Sequence, residues 1–296
     1  MARLRLVLKT VLAYFILWSG IALASRLLLW RDRVLILLYH DPRPEVLDRH
    51  LHYLTRIADL ISLANLWQPP RLRRRPRALI TLDDGHLGNA KLLDVFLKYE
   101  VRPTIYICSQ IVNTNRQFWW MHPAARTEGI QRLKRLSNRE RLLLLGAHGF
   151  RQDAEAEQQV ALSVQDIAAL KRWVDFQSHG RFHPILTQCD DAECQFEISE
   201  SRREIEALVG SKCVHFAYPN GNYREREITM LKADGYSSAR SLDLGWNDEN
   251  VDPFRLKALT IDDNCSVSRF AAELSLLPRF LSFLSQGSFR GRAPQN

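Results

Sequence analysis

From Arg33 onward the chain alternates between short apolar runs and longer segments in which apolar residues recur at helical spacing. Val34–Tyr39 (VLILLY) contains no charged position and reads as a strand buried on both faces. Beyond it, Leu47, Leu51, Leu54, Ile57 and Leu60 fall on one helical face and predict a helix over Glu45–Leu63. The strand pattern returns at Ala78–Leu82, Thr104–Cys108, Val174–Gln177, Val214–Tyr218, Tyr236–Leu242 and Leu256–Ile261. Helices are predicted between them at Asn89–Tyr99, Arg139–Leu145, Ser163–Trp173, Glu193–Val209 and Arg224–Ala233, with an amphipathic one at Ser266–Leu284 to finish. Strands alternating with helices over about 250 residues predict an α/β fold built on a parallel sheet, and that length suits one closed or nearly closed barrel. The expected division is a leading segment at 1–32, one domain at 33–284 and a frayed tail at 285–296.

The leading segment has its own pattern. Thr10–Ser25 is uncharged over 16 residues, between Lys9 and Arg26. A spanning helix needs roughly 20 residues, which snorkelling flanks could supply over Leu6–Trp30. The segment is therefore expected to anchor the protein in a membrane with its body outside the cytoplasm. The alternative is a cleaved signal, with Ala22-Leu23-Ala24 as the small-x-small site and a secreted or periplasmic product. A third reading packs it as a helix on a soluble body.

Charge changes the picture only when placed along the chain. The formal net charge is +8, but residues 1–33 hold six basic side chains against Asp32, and Arg71, Arg73, Arg74, Arg75 and Arg77 lie together in one run. The rest is slightly acidic and has no basic stripe with interleaved aromatics, so nucleic acid is not an expected partner. The arginine run reads as a solvated loop, or else as a contact for anionic lipid or glycan. Five cysteines without a C-x-x-C pair exclude a zinc-finger grid and a dense disulfide framework.

In a parallel barrel, polar residues at the carboxyl ends of strands are the candidates for chemistry. Three strand ends qualify. Thr81-Leu82-Asp83-Asp84-Gly85 carries two adjacent carboxylates, which point apart on an extended chain unless a turn redirects one. Taken alone, it could equally be a polar turn capping the next helix. His179-Gly180-Arg181-Phe182-His183-Pro184 holds two histidines that could share a metal ion if the loop turns once, or could be structural. Phe216-Ala217-Tyr218-Pro219-Asn220-Gly221 runs a strand into a turn whose backbone N–H could meet an oxyanion, or could be a plain turn. Phe118-Trp119-Trp120 and Trp246 sit in predicted loops where aromatic rings could stack on sugars or simply pack.

The order and spacing of these three segments resemble the polysaccharide deacetylases of carbohydrate esterase family 4, over roughly Val34–Leu284. That resemblance implies a distorted (β/α) barrel, with Asp84, His179 and His183 holding a divalent metal, Zn²⁺ being the expected ion. It implies Asp83 as catalytic base, the Tyr218 amide as oxyanion donor, and Pro219, Asn220, Trp119, Trp120 and Trp246 along the substrate path. Leu82 stands where the family has Phe, and Gly180 stands where it has Ser or Thr. Phe216 replaces an arginine that orients the base, a part that Arg240 or Arg255 could take over. No histidine follows His215, so the family's late acid is missing, and Asp262, Asp263 or Asp83 itself would have to protonate the departing amine. The implied activity is metal-dependent removal of N-acetyl groups from N-acetylhexosamine units of a surface or envelope polysaccharide or its precursor. The alternatives are an O-acetyl esterase acting on glycans and a catalytically decayed, membrane-tethered carbohydrate-binding protein.

Overall fold

The computed structural model describes residues 32–68 and 75–278, together with Ser19, Gly20, Ala24 and Trp30. The anchor or signal segment over Leu6–Trp30, most of the arginine run and the 285–296 tail therefore lie outside the described residues. Among those that are described, no helix is long and apolar enough to cross a membrane.

Strands β1 (Val34–Tyr39), β2 (Asp59–Ile61), β3 (Arg77–Leu82), β4 (Thr104–Ile107), β5 (Asp175–Ser178), β6 (His215–Ala217), β7 (Ser238–Arg240) and β8 (Ala258–Thr260) form one parallel sheet. Its order is β7-β6-β5-β4-β3-β1-β8. A parallel bridge between Arg240 and Leu256, just ahead of β8, brings the two ends of this path together, and the sheet is a nearly closed barrel. The helices are α1 (Pro44–Leu54), α2 (Leu93–Lys98), α3 (Pro123–Glu128), α4 (Ile130–Leu133), α5 (Asn138–Gly146), α6 (Val164–Leu170), α7 (Asp191–Val209), α8 (Glu225–Ala233) and α9 (Val267–Glu273).

Strand alternation decides which side chains reach the barrel interior. Leu35, Leu37, Ile80, Ile105, Ile107 and Phe176 point outward and share the large core with helix residues such as Leu47, Leu51 and Ile198. Val34, Ile36, Leu38, Leu79, Tyr106, Ala217 and Ala258 fill the interior. Continued by two-residue steps, the interior rows of β3, β5 and β7 arrive at Asp83, His179 and Arg240.

The predicted helix over Glu45–Leu63 is two elements. α1 stops at Leu54, and Leu60 belongs to β2, which pairs with the first half of the β3 edge whose second half takes β4. The apolar spacing continued past Leu54 because a strand residue fell on the same phase. Asn89–Tyr99 is likewise divided, into a 3₁₀ turn at Leu87–Leu92 and α2. Asn89 holds the tight turn there, donating from Nδ2 to the His40 carbonyl at 2.9 Å. The two late strands are shorter than their apolar runs, and the final helix is seen as α9, its predicted end at Leu284 lying outside the described residues.

Between β4 and β5 the chain builds a small second core from Trp119, Ala124, Ala125, Leu133, Leu145 and Phe150. It includes α3 and α4, which the apolar pattern did not reveal because each is shorter than two turns.

Candidate active site

Asp83 and Asp84 leave β3 side by side yet serve different partners, because the backbone turns between them. Asp84 and Gly85 both have φ near 70°, in the left-handed region. A Cβ on Gly85 would stand 2.7 Å from Ile107 Cγ2, so glycine is required twice over, by conformation and by space.

Asp84 turns toward the histidines. Its Oδ1 lies 3.5 Å from His179 Nε2 and 3.4 Å from His183 Nε2, and one ligand atom from each of the three lies within 4.8 Å of the others. That Oδ1 is buried and has no hydrogen-bond partner. Ligands about 2.1 Å from a tetrahedral ion stand about 3.4 Å apart, so this trio fits a divalent cation such as Zn²⁺. The protonation states fit as well. His179 Nδ1 lies 2.7 Å from the Ala217 carbonyl, to which it can only donate, and this leaves Nε2 as a lone-pair donor. Burial and the neighbouring His179 push His183 down to about 3, so its ring is neutral. Burial would raise the Asp84 carboxyl, but the His86 hydrogen bond and the electrostatic influence of the three neighbouring imidazoles outweigh it and hold the group well below its usual range.

Asp83 turns instead to Arg240, whose Nη2 donates to its carboxylate at 2.5 Å; both are buried. Asp83 Oδ2 is also 3.6 Å from His179 Nε2, which places this carboxylate beside the candidate metal position. Arg240 comes from β7 and stands over the Tyr106 ring at 5.3 Å. Arg255, the other arginine considered for this part, pairs with Glu225 and Asp252 at the surface.

The histidine loop is braced from α7. Glu197, buried, accepts from the backbone N–H of Arg181 at 2.6 Å and of Phe182 at 3.3 Å. Gly180 has φ +80°, and a Cβ there would come within 3.2 Å of Glu197 Oε2. The loop after Gly180 is thus held by a carboxylate from another element. Burial pushes the Glu197 carboxyl up to about 7, against the lowering effect of the Arg181 and Phe182 amides and the Arg181 charge.

Other expected site residues fall differently. The Tyr218 N–H donates to the Arg240 carbonyl at 3.0 Å in the sheet, and its hydroxyl donates to the Phe254 carbonyl, so the oxyanion role is withdrawn from this amide. Pro219, which has no N–H, is buried against the histidine loop, 3.9 Å from a Cβ at Gly180. Asn220 follows with φ 58°, at the turn. Trp120 packs edge-on against His183 with ring centroids 4.5 Å apart and lines the site. Trp119 is buried beneath it with Arg141 over its ring, which rules out sugar stacking there. Trp246 is partly buried against the main core, where packing accounts for it.

Both late aspartates are engaged in contacts of their own. Asp262 pairs with Arg269 at 3.0 Å, at the start of α9. Asp263 accepts from the His40 and Asp41 amides at 3.1 and 3.0 Å and so fixes the loop after β1. One residue that the motifs did not single out is His86, whose Nε2 lies 3.2 Å from Asp84 Oδ2. Burial lowers its pKa, but the Asp84 hydrogen bond and the charges of Asp84, Asp41 and Asp263 raise it overall. Its signal was its position, immediately after Asp84-Gly85.

Residues 72–239 match the family model described as polysaccharide deacetylase. Among solved structures, the Streptococcus pyogenes deacetylase PplD in complex with acetate is similar at 15% identity, covering 80% of this chain and 96% of that one, with a TM-score of 0.59. IcaB from Ammonifex degensii is similar at 14% identity, covering 83% and 99%, with a TM-score of 0.59. BC0361, a polysaccharide deacetylase from Bacillus cereus, is similar at 17% identity, covering 82% and 69%, with a TM-score of 0.58. At these identities the likeness is one of fold. No curated protein matches the chain by sequence.

Proposed function

Because the chain belongs to the polysaccharide deacetylase family, we propose that it is a metal-dependent N-deacetylase acting on N-acetylhexosamine units of a surface or envelope polysaccharide or its precursor. The observation that carries this reading is the orphaned Asp84 Oδ1 facing two imidazole nitrogens, with a second carboxylate, Asp83, held separately at their edge. A divalent ion bound by Asp84, His179 and His183 would polarise the acyl oxygen and acidify the attacking water.

The chain's own residues then divide the work. Asp83 takes the proton from water as the new C–O bond forms. Arg240 keeps that carboxylate oriented, and the low dielectric around the buried pair strengthens its hold. With Asp262 and Asp263 engaged elsewhere, Asp83 passes the same proton to the nitrogen as the C–N bond breaks, releasing acetate and a free amine. Trp120, against His183, forms a wall for the sugar ring.

The intact ligand trio and the Arg240 substitution both speak against a decayed binding protein. Acetate release by the purified protein from N-acetylated and O-acetylated oligosaccharides, with and without chelator, tests the reading. Release from O-acetylated glycans alone would make it an esterase, and no chelator-sensitive release from either would return the decayed alternative. The Leu6–Trp30 segment supports a tether with the body outside the cytoplasm, which fractionation with protease accessibility would check.

A further inference from the structure

The two carboxylate oxygens of Asp84 have different neighbours. Oδ1 faces His179 and His183 at 3.5 and 3.4 Å and has no hydrogen-bond partner. Oδ2 lies 3.2 Å from His86 Nε2, and only 16% of the His86 side chain and 6% of the Asp84 side chain are exposed. His86 does not belong with the ligands themselves. Among the described residues, the group whose ligand atoms all lie within 4.8 Å of one another closes at Asp84, His179 and His183. The third imidazole meets the carboxylate at its other oxygen.

Two constraints set the place of His86. An antiparallel bridge joins it to Ala161, with the Leu87 N–H donating to the Val160 carbonyl at 3.0 Å and the Leu162 N–H to the Gly85 carbonyl at 2.9 Å. Its ring packs on Phe118 with centroids 5.6 Å apart, and the same Phe118 meets His183 edge-on at 6.3 Å. Phe118 is fully buried and stacked on Trp120. One buried ring therefore backs both of the histidines that flank the Asp84 carboxylate, one at each oxygen.

An aspartate carboxylate turns about a torsion with broad preferences, so the backbone turn at Asp84 does not by itself decide where each oxygen faces. A donor fixed at one oxygen does decide it. Partners behind a metal ligand act in this way, by orienting the atom that binds.

We propose that His86 is a positioning residue for the metal centre: donating from Nε2 to Asp84 Oδ2, it holds Oδ1 toward His179 and His183. That the centre serves hydrolysis rests on the deacetylase reading; the division between the two oxygens rests on the contacts of Asp84 alone. It also accounts for Oδ1 being the atom left without a partner.

The test measures the Zn²⁺ affinity of the full chain by competition with a chromophoric chelator, alongside the urea midpoint of the metal-free protein. His86→Phe keeps a ring against Phe118 and removes the donor, whereas His86→Gln keeps an N–H at the reach of Nε2. His86→Phe should bind Zn²⁺ about 10–100-fold more weakly, the usual cost of losing a partner behind a ligand, and His86→Gln should recover most of that loss. Affinity that falls equally in both variants, or in neither, overturns the assignment. So does a loss of affinity that only tracks a lower urea midpoint.

Because His86→Phe could fail to fold, a second measurement uses the unmutated, zinc-loaded chain. The imidazole nitrogen resonances of His86, identified by their loss in His86→Gln, should show a proton on Nε2; a bare Nε2, or one bound to the metal, overturns the assignment. Acetate release by the native chain with a Zn²⁺ affinity indifferent to His86 would remove the positioning role and leave the deacetylase reading standing. A Zn²⁺ affinity that depends on His86, with no acetate released from any glycan, would do the reverse.

Discussion

Glu197 offers the sharpest physical test, because its burial and its role as a brace pull in opposite directions. Its carboxyl is raised from 4.5 to about 7. The folded chain therefore binds this proton more tightly than the unfolded chain, so the proton favours folding. The contribution is fully present below pH 4.5 and is lost as the pH rises through about 7. At 1.36 kcal/mol per pKa unit, the loss across that window is about 3 kcal/mol. Glu197→Gln retains an oxygen for the Arg181 and Phe182 amides and does not titrate. Urea unfolding of the metal-free protein, with chelator present, should be measured for both chains at steps from pH 4.5 to 8. The other titrating groups are common to both and cancel in the difference. The two stabilities should be close at pH 4.5 and diverge in favour of the glutamine variant as the pH rises, levelling off above 7. A difference that stays constant across the range would refute the argument that burial governs this carboxyl. Glu197→Ala is a control of opposite sign: it leaves two loop amides without their acceptor and should destabilise by about 1–3 kcal/mol per group left buried and unpaired.

The remaining expectations are shorter. His179→Ala or His183→Ala should abolish stoichiometric metal binding, measured by elemental analysis after gel filtration; a full equivalent retained by His183→Ala would remove that residue from the ligand set. Asp83→Asn and Arg240→Gln should both keep the metal and lose turnover by about 10²–10⁴-fold, the range for a lost or misoriented general base, whereas metal loss in Asp83→Asn would mark it as a ligand. Gly85→Ala should unfold at lower temperature than the native chain, because the added Cβ meets Ile107 and the backbone needs φ +70°. Asp262→Asn should turn over at a near-native rate with an unchanged alkaline limb, since its carboxylate pairs with Arg269; a lost limb would restore it as the acid.

The pattern of legibility follows from how far apart in sequence each contact reaches. Asp84 and His179 could be read because each closely follows a strand and has a glycine beside it, and His183 because it lies four residues on in the same short loop. The partner of Asp83 could not be fixed the same way. Arg240 is 157 residues away, and what selects it over Arg255 is strand phase: Arg240 follows Ser238 on the inward row of β7, while Arg255 lies in a turn beyond that strand's end. A reading that assigned phase to Tyr236–Leu242 could have chosen between them, but the short ladder is defined by its pairing with β6 and not by its own alternation. Glu197 was invisible for a different reason. On α7 it is one acidic residue among many, and only its burial against the Gly180 loop distinguishes it from Glu200 or Glu204. At the two positions that looked like losses, Gly180 for a hydroxyl residue and Phe216 for an arginine, other side chains come in from elsewhere in the fold: Glu197 onto the histidine loop and Arg240 onto Asp83. A missing motif residue is thus a statement about one position, and whether the chemistry is missing depends on which distant side chain the barrel brings to the same atoms.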